Sequence, residues 1–208
     1  MDTPTLEKTN LIEWAVATRP MDGQAVSGDL EVVEPVERGV LVAVIDGVGH
    51  GEEAGAAAQK AADILKKHAG ESVISLVRRC HAALAETRGA VMTLVSLDAP
   101  DDTLTWMGVG NVEGRLLRAE SSTGYLCEGV LLRNGLVGYQ LPALQASVTS
   151  ILPGDLLILA TDGIHADFDR GIVLHEKVEQ IAQKILSRNF KGNDDSLVLV
   201  VRYLGDGK

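Results

Sequence analysis

Four acidic sites stand where apolar runs break into turns: Ser27-Gly28-Asp29, Val44-Ile45-Asp46-Gly47, Ala160-Thr161-Asp162-Gly163 and Asn193-Asp194-Asp195-Ser196. Three of them directly flank a strand-like segment, and an Asp at the end of a core strand is carried on rigid scaffold. Glycine beside it lets backbone carbonyls approach a cation closely. A single Asp-Gly is an ordinary turn. Several together are another matter. Carboxylates converging within about 5 Å repel by roughly 3 kcal/mol per pair at an effective dielectric near 20, so convergence requires protons or a cation. The candidate ligands are all oxygen, which suits magnesium or manganese.

Other chemistries find less support. Cys80 lies on an apolar helix stripe and Cys127 lacks a following Arg-bearing phosphate loop, so neither is expected to be a nucleophile. Gly108-Val109-Gly110-Asn111 has neither the third glycine nor the strand–helix context of a dinucleotide site and reads as a turn between strands. Asp167 and Asp169 read as exposed loop carboxylates, with an additional ion near Asp162 as the alternative.

The elements that must position the four aspartates follow from periodicity. Residues 12–18, 26–33 and 40–45 read as strands, the last a nearly continuous Val/Leu/Ala/Ile run of the kind buried on both faces. After the 47–51 turn, Ala54, Ala57, Ala58, Ala61, Ala62 and Leu65 recur at helical spacing, predicting a helix over 52–68 whose small residues permit close approach to a sheet. Glu52 and Glu53 complement its dipole. Val73, Leu76, Val77, Cys80 and Leu84 repeat the pattern behind a Ser72 N-cap. From 91 to 201 short apolar runs alternate with turn formers, interrupted by a third helical stripe at Val178, Ile181, Ala182, Ile185 and Leu186 before a closing strand at 197–201. This order is not the βαβ alternation of a doubly wound sheet; it predicts an α+β fold with stacked antiparallel sheets and helices packed outside.

The 208 residues suit one compact domain, and with 46% apolar but only 3% aromatic residues the core must be built from Ala, Val, Leu and Ile. A formal charge of −10 works against non-specific binding to nucleic acid or an anionic membrane and favours a cation or a protein as partner. Two cysteines make no disulfide framework, and the opening Met-Asp-Thr-Pro-Thr-Leu-Glu-Lys lacks the regions of a signal peptide. No apolar run approaches the ~20 residues of a membrane helix. The expectation is a soluble, cytoplasmic protein.

In order along the chain, Gly28-Asp29, Asp46-Gly47-Val48-Gly49-His50-Gly51 opening a small-residue helix, Pro153-Gly154-Asp155 leading into Thr161-Asp162-Gly163, and Asp194-Asp195 before the last strand resemble the PPM-type serine/threonine phosphatases, in particular the bacterial SpoIIE-like branch. The resemblance spans about residues 12 to 204. Within that branch the short chain and the Gly108-Val109-Gly110-Asn111-Val112-Glu113 segment look most like the feedback phosphatases of the bacterial stressosome. It implies an αββα sandwich holding two manganese or magnesium ions, a bridging water activated by both, and dephosphorylation of phosphoserine and phosphothreonine on STAS-domain scaffold and co-antagonist proteins. Mapped by motif, Asp46 would bridge the metals, the Gly47 carbonyl would complete one of them, and Asp162 and Asp194 would hold the other. Asp29 would act through metal-bound water, and Asp195 is the alternative to Asp194. Val48 stands where many relatives carry a catalytic His. His50 is then the candidate acid, or else a cap at the helix start, and Arg19 does not match the phosphate-binding Arg of the wider family. A phosphatase-like binding module without turnover, or action on another phosphoprotein or a small phosphorylated metabolite, are the rival functions.

Overall fold

The computed structural model describes residues 7–119 and 127–205. Its amino-terminal half runs β1 (Glu7–Lys8), β2 (Ile12–Arg19), β3 (Asp29–Val36), β4 (Gly39–Gly47), α1 (Glu52–Lys67), α2 (Val73–Leu84), β5 (Ala90–Asp98) and β6 (Thr103–Val109). There follow β7 (Glu113–Leu117), β8 (Cys127–Gly129), β9 (Leu132–Arg133), β10 (Ser147–Ser150), β11 (Leu156–Ala160), α3 (Val178–Asn189) and β12 (Ser196–Tyr203). The chain forms two sheets, ordered β1-β2-β12-β11-β7-β8 and β10-β6-β5-β4-β3. All these pairings are antiparallel; the exception is β9, which follows β8 after two residues and runs parallel to β6, with Leu132 opposite Gly108 and Arg133 opposite Val109.

Strand alternation explains the layers. On β4, Leu41, Ala43 and Ile45 pack with α1 and α2, whereas Val40, Val42 and Val44 meet Leu157, Leu159, Leu197 and Leu199 of the opposite sheet. The outer face of that second sheet packs Ala15, Ala17, Ile158, Ala160, Val198 and Val200 against Val178, Ile181, Ala182 and Ile185 of α3. The result is helix, sheet, sheet, helix, as the pattern predicts. The β4 run is buried throughout from Val40 to Ile45, which its two-sided apolar sequence requires. Ala54, Ala57, Ala58, Ala61 and Ala62 of α1 are buried, and this stripe lets the helix lie directly on the sheet.

Element ends differ from expectation in places. The strand expected from residue 26 begins at Asp29: Val26 is exposed, and the amides of Met21 and Gly28 both donate to the Asp195 carboxylate rather than to a neighbouring strand. The first helix stops at Lys67, with His68 as its C-cap. Ser72 caps α2 as expected, accepting from the Ser75 amide at 3.3 Å.

Candidate metal centre

The alternation that builds the core also aims the aspartates. Asp29 opens β3, Asp46 is the penultimate residue of β4, and the two are direct cross-strand partners. Asp46 shares parity with Val40, Val42 and Val44, and Asp29 with Val33, so both carboxylates project between the sheets. From the other sheet, Thr161 and Asp162 follow β11, and Asp194 and Asp195 precede β12, whose Leu197 and Leu199 line the same interface. The sites named in the sequence therefore meet at one end of the sandwich. Like charges placed directly opposite on a ladder are destabilising, so the Asp29–Asp46 pair, once ionised, works against the bare fold.

Two glycines make the approach possible. A Cβ on Gly47 would lie 2.1 Å from the Ala54 carbonyl, and one on Gly163 would lie 2.1 Å from the Asp195 carbonyl. Gly47 thus admits the first turn of α1, and Gly163 admits the segment before β12.

Electrostatics single out the same groups. Burial is the main cause that raises Asp46 to about 9, with the charges of Asp29, Asp162, Asp194 and Asp195 adding to it. Burial likewise raises Asp29 to about 8, assisted by Asp195, Asp162 and Asp194 and opposed by a 2.8 Å hydrogen bond from the Thr161 hydroxyl. Asp162 is raised by burial and by Asp194, against the Lys191 charge and a 2.7 Å hydrogen bond from the Asn111 side-chain amide. A bare site holds protons where a cation would otherwise be.

Asp194 and Asp195 have separate duties. Both Asp195 oxygens are occupied, each accepting at 2.7 Å, one from the Met21 amide and the other from the Gly28 amide. That carboxylate ties down the loop leading to Asp29. Asp194 is half-buried, and one of its oxygens accepts from the Asp195 amide at 2.9 Å.

The remaining candidates are placed as follows. His50 is exposed on the 47–51 turn and does not cap α1, whose N-cap is Gly51 without a side-chain bond; glycine at φ 75° ends the turn instead. Asp155 of the Pro-Gly-Asp motif is away from the centre: it is buried and accepts from Ala119 and Leu152 amides and from Arg118. Asp167 is exposed beside Arg170, and Asp169 accepts from the Cys127 thiol at 3.5 Å. Cys80 is fully buried, its thiol pushed up to about 12 by burial. Thr161 and Asn111 are the site residues that sequence reasoning missed. Thr161 carries a signal in hindsight, since its parity on β11 turns it toward the opposite sheet; Asn111 has only its place in a turn.

Among the described residues no three His, Cys, Asp or Glu side chains form a ready-made metal cage. The donors nevertheless fit a hard cation. Magnesium and its analogues keep several waters and are commonly bound through one or two carboxylates, and Asp29, Asp46 and Asp162 here have their proton affinities raised.

Comparison with known proteins gives the family and the fold. Residues 37–204 match the family described as Stage II sporulation protein E (SpoIIE); Asp46, Asp162, Asp194 and Asp195 lie within the matched span and Asp29 before it. The phosphoserine phosphatase RsbX of Bacillus subtilis (strain 168) is 23% identical over 191 residues, covering 91% of this chain and 94% of that protein. A crystal structure of RsbX in complex with magnesium superposes with a TM-score of 0.84 at 22% identity, covering 96% of this chain and 99% of that one. A chain from work on the bacterial stressosome as a modular system adapted to control secondary messenger signalling gives 0.81 at 29% identity, covering 92% and 99%. The catalytic domain of the serine/threonine phosphatase PstP with two manganese ions gives 0.70 at 17% identity, covering 96% and 100%.

Proposed function

The chain belongs to the SpoIIE family and is a protein serine/threonine phosphatase; from that premise we propose how its acidic centre works and on what it acts. The observation that carries the reading is the pairing of Asp29 with Asp46 across one ladder, at the point where Asp162 and Asp194 arrive from the other sheet. The reading is of one domain holding two divalent cations, manganese or magnesium. Asp46, the Gly47 carbonyl, Asp162 and Asp194 would hold them, Asp46 contributing to both, and Asp29 would act through water. Asp195 is left out of the ligand set, because both its oxygens already accept backbone amides. When bound, such ions lower the pKa of water and offset charge on phosphoryl oxygens.

The chain's own residues orient these groups. Thr161 donates to Asp29 and, through the same hydroxyl, accepts from the Leu197 amide at 2.9 Å, so the Asp29 carboxylate is fixed to the opposite sheet. Asn111 fixes one Asp162 oxygen. His50, exposed on its turn, is the group proposed to return a proton to the leaving serine or threonine oxygen.

The proposed substrates are phosphorylated STAS-domain proteins of a stressosome, scaffold and co-antagonist, in the cytoplasm. Two observations support this: the similarity to RsbX and to a stressosome-related structure, and an overall charge that disfavours nucleic acid. No helix among the described residues is long and apolar enough to cross a membrane. The test presents phosphorylated scaffold and co-antagonist to the manganese-loaded enzyme and follows serine and threonine phosphate separately. Release from these proteins, faster than from unrelated phosphoproteins, is expected; equal rates would remove the assignment of substrate.

A further inference from the structure

A phosphate monoester approaching this centre meets a cluster of aspartates. Bound cations would neutralise the carboxylates, and phosphoryl oxygens turned away from them would be held more tightly by a cationic donor from the chain. Among the described residues, Arg19, Arg88 and Lys191 lie on or against segments that carry the centre. Arg19 is bonded to Asp22 at 3.0 Å and lies over the Phe190 ring at 4.1 Å. Arg88 is paired with Glu53. Lys191 is held differently. Its amide donates to the Gly163 carbonyl at 2.9 Å, and its ammonium donates to the Asp162 carbonyl at 2.6 Å.

Among the described residues Lys191 makes no ion pair, and it is exposed. A neutral carbonyl therefore fixes the position of the ammonium without cancelling its charge. An ammonium has three donors, and the carbonyl uses one. The residue also stands three positions before Asp194, so a single side chain is tied to both segments that reach the centre from the second sheet. Its charge is felt at Asp162.

We propose that Lys191 is the chain's phosphate-binding cation, contacting phosphoryl oxygen of the substrate and of released phosphate; this rests on the reading of the centre as a phosphatase site. It supplies the contact for which Arg19, engaged with Asp22 and Phe190, is not available.

The test compares wild type with Lys191→Met, Lys191→Gln and Lys191→Arg, all manganese-loaded, with para-nitrophenyl phosphate as substrate and inorganic phosphate as inhibitor. Calorimetry measures phosphate and manganese binding separately. Lys191→Met should raise both KM and the phosphate inhibition constant about tenfold or more, the loss of one charge-assisted hydrogen bond. Manganese affinity should hold or tighten, since a neighbouring positive charge has gone, and Lys191→Arg should restore most of the phosphate affinity. Lys191→Gln retains a donor for the Asp162 carbonyl without the charge and should behave like Met; it decides the matter if Met loosens the turn. Unchanged phosphate affinity in a folded Met or Gln variant would overturn the proposal, as would a loss confined to manganese affinity. Should wild type fail to turn over, the phosphatase reading falls, and calorimetric phosphate binding would still decide the role of Lys191.

Discussion

Asp46 is where the opposing demands on single residues are clearest. It faces Asp29 across a ladder, is largely buried, and is held well above the ordinary carboxylate range. Asp46→Asn keeps the volume and removes the charge. Since replacing residues that merely support metal ligands costs 10–100-fold, loss of a ligand between two ions should lower turnover by about 100-fold or more. The metal-free fold should respond in the opposite direction. Relief of one close pair is bounded by about 3 kcal/mol at an effective dielectric near 20, and it should emerge above pH 9, where wild type has lost the protons that relieve the repulsion. Thermal unfolding in chelator across pH checks this, and an Asn variant less stable than wild type at high pH would contradict the clustering. Thr161→Val tests the cross-sheet hydroxyl. It leaves the Leu197 amide and a buried Asp29 oxygen without their partner, so a stability loss of about 1–3 kcal/mol and weaker manganese binding are expected from urea unfolding and calorimetry. Such contacts were not legible in the sequence. Thr161 and Asp29 are 132 residues apart, and Gly28 and Asp195 are 167 apart, so no local pattern links them. The aspartates themselves were legible, because each stands where an apolar run gives way to a turn.

At the scale of elements, alternation and small residues do most of the positioning. The α1 stripe could be read directly from alanine spacing, and β4 from an apolar run too continuous for a half-exposed strand. Boundaries were harder. Nothing in residues 26–28 reveals that Asp195 draws their backbone out of the sheet, and nothing local reveals that Leu132 and Arg133 run parallel to β6. Gly163 shows how tightly the site elements are joined, since a Cβ there would meet the Asp195 carbonyl at 2.1 Å. Gly163→Ala must push the segments carrying Asp162 and Asp194 apart. Overpacking of this kind costs about 1–3 kcal/mol, and metal affinity should fall with it. Urea unfolding and manganese calorimetry on the same variant provide the check. Wild-type values for both would mean that the Asp162 and Asp194 segments do not depend on this contact.

For the whole molecule, the acidic centre links stability, pH and metal. The folded protein holds Asp46 at about 9 and Asp29 at about 8, against about 3.9 for an unfolded Asp. The folded state thus binds more protons than the unfolded one between these values. Metal-free stability must fall as pH rises from about 4 toward 9. Metal binding needs the deprotonated carboxylates, so it should release protons and tighten with pH over the same range. Melting in chelator should therefore move to lower temperature from pH 5 to pH 8, while saturating manganese should flatten or reverse the slope. A chelated protein that gains stability over this range would exclude carboxylates held protonated by burial and by their neighbours. The most direct measurement is release of phosphate from para-nitrophenyl phosphate by wild type before chelation, after exhaustive chelation with metal content confirmed as nil, and after manganese is restored. Turnover is expected to vanish on chelation and return with manganese; full turnover by the metal-free protein would contradict a metal-dependent phosphatase at this centre.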